Sequence, residues 1–296
     1  MSQSTPRPEI VEPPSFAQLC PQCGEVAEFC LVRTPSTTLD GMLGELGGES
    51  FSLRCAHCAD SRPVDKTTVD AFRQAQELYA GMKSGQIAQP EFDARLNELG
   101  VKAAFKGYHG YPCVLCTSVN SEVVHGIPSP KRVLNEGDIV SVDFGVVVDG
   151  YYGDAAITVP VGAIDAKAAR LLKATEESLK AGIAAVRPGA TLGDVGAAVQ
   201  NVVEGEGFSV VRDFVGHGIG VHMHEDPQVP NFGEAGQGMK LKVGMVIAIE
   251  PMVNAGKPDV QVLDDGWTAV ASDGSMSAHF EHTVAVTATG ARILTE

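Results

Sequence analysis

The segment DIVSVDFGVVVDGYYGDAAITV, residues 138–159, constrains the fold more than any other stretch of the chain. Asp149-Gly150 stands between two runs rich in β-branched and aromatic residues, the pattern of a two-residue hairpin turn. With that turn, Val148 faces Tyr151, Gly145 faces Asp154 and Ala156 faces Asp143. Side chains alternate along a strand, so Asp143 and Asp154 fall on one face as diagonal neighbours, close enough to grip a common ion. Two bare carboxylates at that separation repel, and one holds a proton unless divalent cations neutralise both. Gly145 beside them leaves room. A solvated pair on an exposed hairpin is the ordinary alternative, and the hairpin alone does not separate the two readings.

Further candidate ligands lie downstream. His217 sits in GHGIG, whose glycines let the backbone come close to a ligand. Glu250 ends the apolar strand Met245–Ile249 just before Pro251, and Glu281 lies in the alternating stretch HFEHTVAVT. A carboxylate finishing an apolar strand is costly to bury without a cation or a donor. One imidazole with four carboxylates is the donor set expected for a pair of Mn, Fe, Co or Zn ions.

The rest of the chain frames this set. Phe92, Leu96 and Leu99 recur at helical spacing, and a weaker amphipathic stretch runs from Val69 to Met82. Strands are expected near Cys113–Asn120 and Asp138–Val148. A helical pair follows, Asp165–Val186, closed by Pro188-Gly189, and Leu192–Glu204, with Val195, Val199, Val202 and Val203 on one face. Strands return near Val210–Phe214, Met245–Glu250 and His279–Thr287. Turns rather than helical crossovers join the strands, so the pattern predicts an α+β domain with a mainly antiparallel sheet and helices on one face. The formal charge of −15 argues against broad binding to nucleic acid or anionic membrane. No apolar run reaches the length of a membrane span, and the polar, proline-rich start lacks a signal-peptide core, so a cytoplasmic protein is expected.

The segments YHGYP, VHGIPSP, SVDFGV with YYGDAA, GHGIGVHMHEDPQVPNF, IEPMVNAG and FEHTVAVT resemble those of the methionine aminopeptidases of pita-bread fold. The resemblance is dense from about Gly107 to the C-terminus. The short stretch between His224 and Glu250 has no space for the helical insertion of the type II enzymes, which implies type I. The resemblance implies a two-metal exopeptidase that removes the initiator methionine from the N-terminal peptides of nascent proteins. It implies that Asp143, Asp154, His217, Glu250 and Glu281 are the ligands of two divalent ions (Co, Mn, Fe or Zn). Asp154 and Glu281 would bridge, Asp143 would serve one ion, and His217 with Glu250 the other. His125 would contact the scissile amide and His224 would stabilise the oxyanion, with Glu250 taking the proton of the attacking water. His222 competes with His224 by residue type, but only His224 fits the motif. Tyr108, Tyr111, Cys116, Met223 and Trp267 match positions that line the methionine pocket. The nearest alternatives are a prolidase or X-Pro aminopeptidase of the same fold, or an inactive pita-bread module used for protein binding. HGIP at residues 125–128 and EPMVNAG at 250–256 favour the methionine enzyme over the former, and the complete ligand set argues against the latter.

Five of the seven cysteines lie within residues 18–62. Cys20-Pro-Gln-Cys23 and Cys55-Ala-His-Cys58 form two CxxC knuckles, the spacing of a zinc ribbon, and predict one structural zinc rather than free or redox-active thiols. The expected organisation is a disordered or extended segment 1–17, a zinc-ribbon-like module 18–62 and a catalytic domain 64–296. Some eukaryotic type I relatives carry N-terminal zinc modules linked to ribosome association. Residues 1–62 here hold four Arg, no Lys and eight acidic residues, so protein contact is expected in place of RNA contact. Cys113-Val-Leu-Cys116 has the same spelling but an expected strand context, which would put its thiols on opposite faces.

Overall fold

The computed structural model describes residues 102–295 apart from 130 and 149, together with the backbone of five strands nearer the N-terminus. Those strands are β1 (Glu9–Ile10), β2 (Phe16–Leu19), β3 (Val26–Thr34), β4 (Ser50–Cys55) and β5 (Ser61–Val64). They form an antiparallel sheet in which β1, β2 and β4 pair with β3, and β5 with β4. Strands β2 and β5 run across the expected boundaries at residues 17/18 and 62/64. Cys20, Cys23 and Cys58 lie outside the described residues, as do the helices expected around Val69–Met82 and Phe92–Leu99.

The second part opens with β6 (Lys102–Ala103), β7 (Cys116–Val119), β8 (Glu122–Val124), β9 (Ile139–Val148) and β10 (Tyr151–Pro160). Helices α1 (Ala166–Ala185) and α2 (Leu192–Gly205) follow. Then come β11 (Ser209–Val210), β12 (Gly216–Gly218), β13 (Glu225–Val229), β14 (Val246–Ile249) and β15 (Met252–Asn254). The chain closes with β16 (Val260–Val262), β17 (Ala269–Ala271), β18 (Ser277–His279), β19 (Glu281–Thr287) and β20 (Gly290–Ile293).

The hairpin register is the one the turn predicts: Val148 pairs with Tyr151, Gly145 with Asp154 and Asp143 with Ala156. It lies within a nine-stranded sheet ordered β13-β12-β14-β19-β10-β9-β6, with β7 also on β9 and β20 on β19. Two three-stranded sheets, β11-β15-β18 and β16-β17-β8, complete the strand structure. Every strand pairing among the described residues is antiparallel.

Asp165 caps α1 by accepting the Ala168 N–H at 2.7 Å. Thr191 and Asp194 form a reciprocal capping box at the start of α2. The two helices pack closely: a Cβ on Gly182 of α1 would lie 2.8 Å from Val199 of α2. Val195, Val199 and Val203 are fully buried, whereas Val202 is half-buried at the edge of that stripe. Leu179 and Ile183 of α1 meet Ile247, Ile249 and Val284 of the sheet in one apolar cluster, which fixes the helices over one sheet face.

Two strands are shorter than the sequence pattern predicts. The one expected from Cys113 begins at Cys116, because the Tyr111 hydroxyl donates to the Leu115 carbonyl at 3.2 Å and folds the intervening residues into a bend. The alternation expected for Cys113 and Cys116 therefore does not apply, and both thiols pack into one cluster with Tyr111. The strand expected over 210–214 ends at Val210, after which only Val211 adds a backbone bond, to the Met252 carbonyl at 3.0 Å.

Candidate metal centre

Three neighbouring strands carry the acidic cluster. Asp143 of β9 and Glu281 of β19 both pair with Ala156 of β10, so they stand in line across the sheet with Asp154 diagonal to each. Thr283 pins Asp154: its hydroxyl accepts the Asp154 N–H at 3.0 Å and donates to the Asp154 carbonyl at 2.8 Å. Ile249 pairs with His282, which delivers the next residue, Glu250, beside Glu281. Asn231 donates to the Glu250 carbonyl at 3.0 Å and holds that corner.

Gly145 leaves room beside Asp154, whose Oδ1 would lie 3.3 Å from a Cβ at that position, and it has a second use. A Cβ there would lie 2.7 Å from Phe105 Cε1 and 3.0 Å from Ala104 Cβ, so the glycine admits these packing side chains beside the Asp154 carboxylate. The glycines flanking His217 do not serve a ligand as expected. A Cβ on Gly216 would strike the Ala248 carbonyl, and one on Gly218 the Asp226 carbonyl, so their smallness lets β12 approach its neighbouring backbones and not a ligand.

His217 is buried, and its Nδ1 lies 2.8 Å from the Gly218 carbonyl, an acceptor only. Nδ1 therefore carries the hydrogen and Nε2 presents a lone pair. Burial, followed by the neighbouring His224, lowers the His217 pKa to about 4. One ligand atom each from Asp154, His217 and Glu281 fall within 4.8 Å of one another. His217 Nε2 also lies 3.5 Å from Glu250 Oε1.

The donor set fits divalent cations. Asp143 Oδ1, Asp154 Oδ1 and Glu281 Oε1 are buried without a hydrogen-bond partner, and a lone pair of neutral His217 faces a carboxylate. Four carboxylates converge with almost no donors, an arrangement that costs several kcal/mol per buried charge unless cations or protons compensate. Burial is the first cause raising all four pKa values, taking Asp154 to about 7 and Asp143, Glu250 and Glu281 well above the carboxylate range. Mutual repulsion adds to the rise at Asp143, Glu250 and Glu281.

A cavity of about 130 Å³ opens onto this cluster. Its wall contains Asp143, Asp154, His217, Glu250 and Glu281, then His125 and His224, then Tyr108, Tyr111, Cys116, Met223 and Trp267. His222 is exposed, and its N–H donates to Glu225 at 2.8 Å. Tyr111 spends its hydroxyl on the Leu115 and Gly126 carbonyls and turns its ring edge to Trp267, with centroids 5.1 Å apart. Cys116 is in register with Asp143, and burial and then that carboxylate raise its pKa, so it stays a neutral thiol. His125 adopts a left-handed backbone, φ 60°, and burial, followed by His224, lowers its pKa to about 4.

Two residues escaped the sequence reading. Phe105 joins the cavity wall from a stretch without periodicity. His279, 1% exposed, brings Nε2 to 3.6 Å from Glu250 Oε2. Its place two residues before Glu281 was the available signal.

Comparison with known proteins agrees with this geometry. The family described as metallopeptidase family M24 matches residues 61–288. Methionine aminopeptidase A of Synechocystis is 54% identical over 243 residues, covering 78% of this chain and 96% of its own length. Methionine aminopeptidase 1 of Bacillus subtilis is 52% identical over 224 residues, covering 74% and 90%. The crystal structure of a methionine aminopeptidase from Thermotoga maritima aligns with a TM-score of 0.70 at 47% identity, covering 78% of this chain and 93% of that one.

Proposed function

The chain belongs to metallopeptidase family M24, and from that premise we propose that it is a type I methionine aminopeptidase, removing the initiator methionine of nascent proteins with a small second residue. The observation that carries this reading is the union, in one cavity, of a carboxylate–imidazole cluster with an apolar, sulfur- and aromatic-lined wall. In this reading Asp143, Asp154, His217, Glu250 and Glu281 would hold two divalent ions, with Asp154 and Glu281 placed to be shared between them. Such ions, when bound, polarise a carbonyl and lower the pKa of water. Glu250 takes the proton of the attacking water. His224 donates to the oxygen of the scissile carbonyl as negative charge develops there, and His125 contacts the scissile amide and helps proton transfer to the departing amine. Tyr108, Tyr111, Cys116, Met223, Trp267 and Phe105 offer the polarisable apolar surface that suits a thioether.

Side-chain selectivity tests the pocket. Met-Ala peptides should turn over at least about tenfold faster than Leu-Ala peptides, since one lost thioether contact and the branched shape are together worth about 1–3 kcal/mol. Equal turnover of the two would remove the methionine reading while leaving an aminopeptidase.

For the N-terminal module the reading is one structural zinc on Cys20, Cys23, Cys55 and Cys58, with a protein partner. The two CxxC pairs and the acidic balance of residues 1–62 support it. Cys23→Ser should cost one zinc per chain, and unchanged zinc content would refute the ribbon.

A further inference from the structure

No role above employs His279, although it is among the most completely buried polar residues described. Its backbone is locked: the N–H donates to the Thr158 hydroxyl at 2.8 Å, and that hydroxyl donates back to the His279 carbonyl at 2.8 Å. Register with Met252 in β15 sets it beside the strand that follows Glu250. Neither ring nitrogen has a hydrogen-bond partner among the described residues. Leaving such groups unpaired in the interior is destabilising, so an apolar side chain would serve packing better.

The two histidines beside Glu250 are placed for opposite tasks. His217 Nε2 lies 3.5 Å from Oε1 and His279 Nε2 lies 3.6 Å from Oε2. The Gly218 carbonyl commits the His217 hydrogen to Nδ1, which leaves Nε2 bare as a ligand. His279 has no such commitment at Nδ1, and a carboxylate oxygen is the acceptor its Nε2 faces. Closing the gap by about half an ångström gives an ordinary N–H···O hydrogen bond.

We propose that His279 is a positioning residue for Glu250: its Nε2–H donates to Oε2 and thereby holds Oε1 toward His217 and the metal ions. This rests on Glu250 being a metal ligand, as read above. Outer partners of metal-bound carboxylates and imidazoles are worth about 10–100-fold in metal affinity or activity.

The test compares His279→Leu, which keeps bulk but no donor, with His279→Gln, whose amide offers an N–H at similar reach. Mn²⁺ affinity measured by calorimetry and kcat on a Met-Gly peptide are read for both, using the full chain. His279→Leu should lose about tenfold or more in Mn²⁺ affinity together with kcat, and His279→Gln should stay within about threefold of the wild type. Nitrogen NMR of wild-type His279 should show the Nε2–H tautomer with and without Zn²⁺, a readout that does not depend on either variant folding. A folded His279→Leu that matches the wild type in both affinity and kcat, or an Nδ1–H tautomer, overturns the proposal. If the wild type itself neither binds Mn²⁺ nor cleaves the peptide, the functional reading has failed instead.

Discussion

The hydroxyl of Tyr108 lies 2.7 Å from Nδ1 of His224, across 116 residues of sequence. Burial raises the Tyr108 pKa, so the phenol keeps its proton and is the donor. Nδ1 of His224 then accepts, and Nε2 carries the hydrogen. The His224 ring also packs edge-on against His217, with centroids 4.2 Å apart. Tyr108 therefore selects a tautomer of His224 whose Nε2–H is free to donate, as the proposed oxyanion role requires.

Tyr108→Phe keeps the pocket wall but frees that tautomer. It should lower kcat on a Met-peptide by about tenfold to a hundredfold, the scale of losing one well-aimed donor. KM and metal content should stay within about twofold if the ring alone supplies binding. Steady-state kinetics with metal analysis on the same sample checks both.

Glu250→Gln and Asp154→Asn should each remove hydrolysis. Each change replaces a carboxylate oxygen by an amide in a buried cluster with almost no hydrogen-bond donors, and on the proposed reading Glu250→Gln also removes the proton acceptor for water. Near-normal kcat in either variant after metal reloading would contradict the assignment.

The carboxylate cluster predicts a pH dependence with a definite sign. Carboxyl groups of the unfolded chain titrate near pH 4 (about 3.9–4.3), whereas Asp154 is raised to about 7 by burial and its three acidic neighbours are raised as well. The metal-free folded state thus binds more protons than the unfolded state between about pH 4 and pH 7. Its stabilising contribution is complete below the unfolded pKa and is lost as pH rises through the folded value. The Tm of chelator-treated protein should fall over that interval, and the rise in Tm on adding Mn²⁺ should grow with pH because metal displaces fewer protons. A metal-free Tm that climbs steadily from pH 5 to pH 7.5 would contradict the buried cluster.

Gly145→Ala places a methyl group 2.7 Å from Phe105 Cε1. Overpacking of this size costs about 1–3 kcal/mol. Lower Tm and weaker Met-peptide binding should appear together, because Phe105 also walls the cavity. Thermal melts and KM measurements check the pair.

What could be read from the sequence follows the range of the interactions. The register that aligns Asp143 with Asp154 was legible because a two-residue connection between Val148 and Tyr151 fixes every pairing along β9 and β10. The helix beginning at Asp165 and the Val195–Val199–Val203 stripe were legible for the same reason. The gathering of His217, Glu250 and Glu281 onto that hairpin depends on strand order, which no local pattern encodes; only family resemblance supplied it. The uses of Gly216 and Gly218 were misread because a glycine's neighbours across a sheet are invisible along the chain. His279 was missed although it sits two residues from Glu281, because the chain passes between two sheets at Phe280 and strand alternation stops there.

The most direct test of the central claim is a competition assay on one purified, metal-analysed sample offered equal amounts of a Met-Gly peptide and an X-Pro peptide. Metal-loaded protein should release methionine from the former and leave the latter intact, lose that activity on chelation, and regain it with Co²⁺ or Mn²⁺. Preferential cleavage of the X-Pro peptide, or methionine release that persists in metal-free protein, would contradict the account.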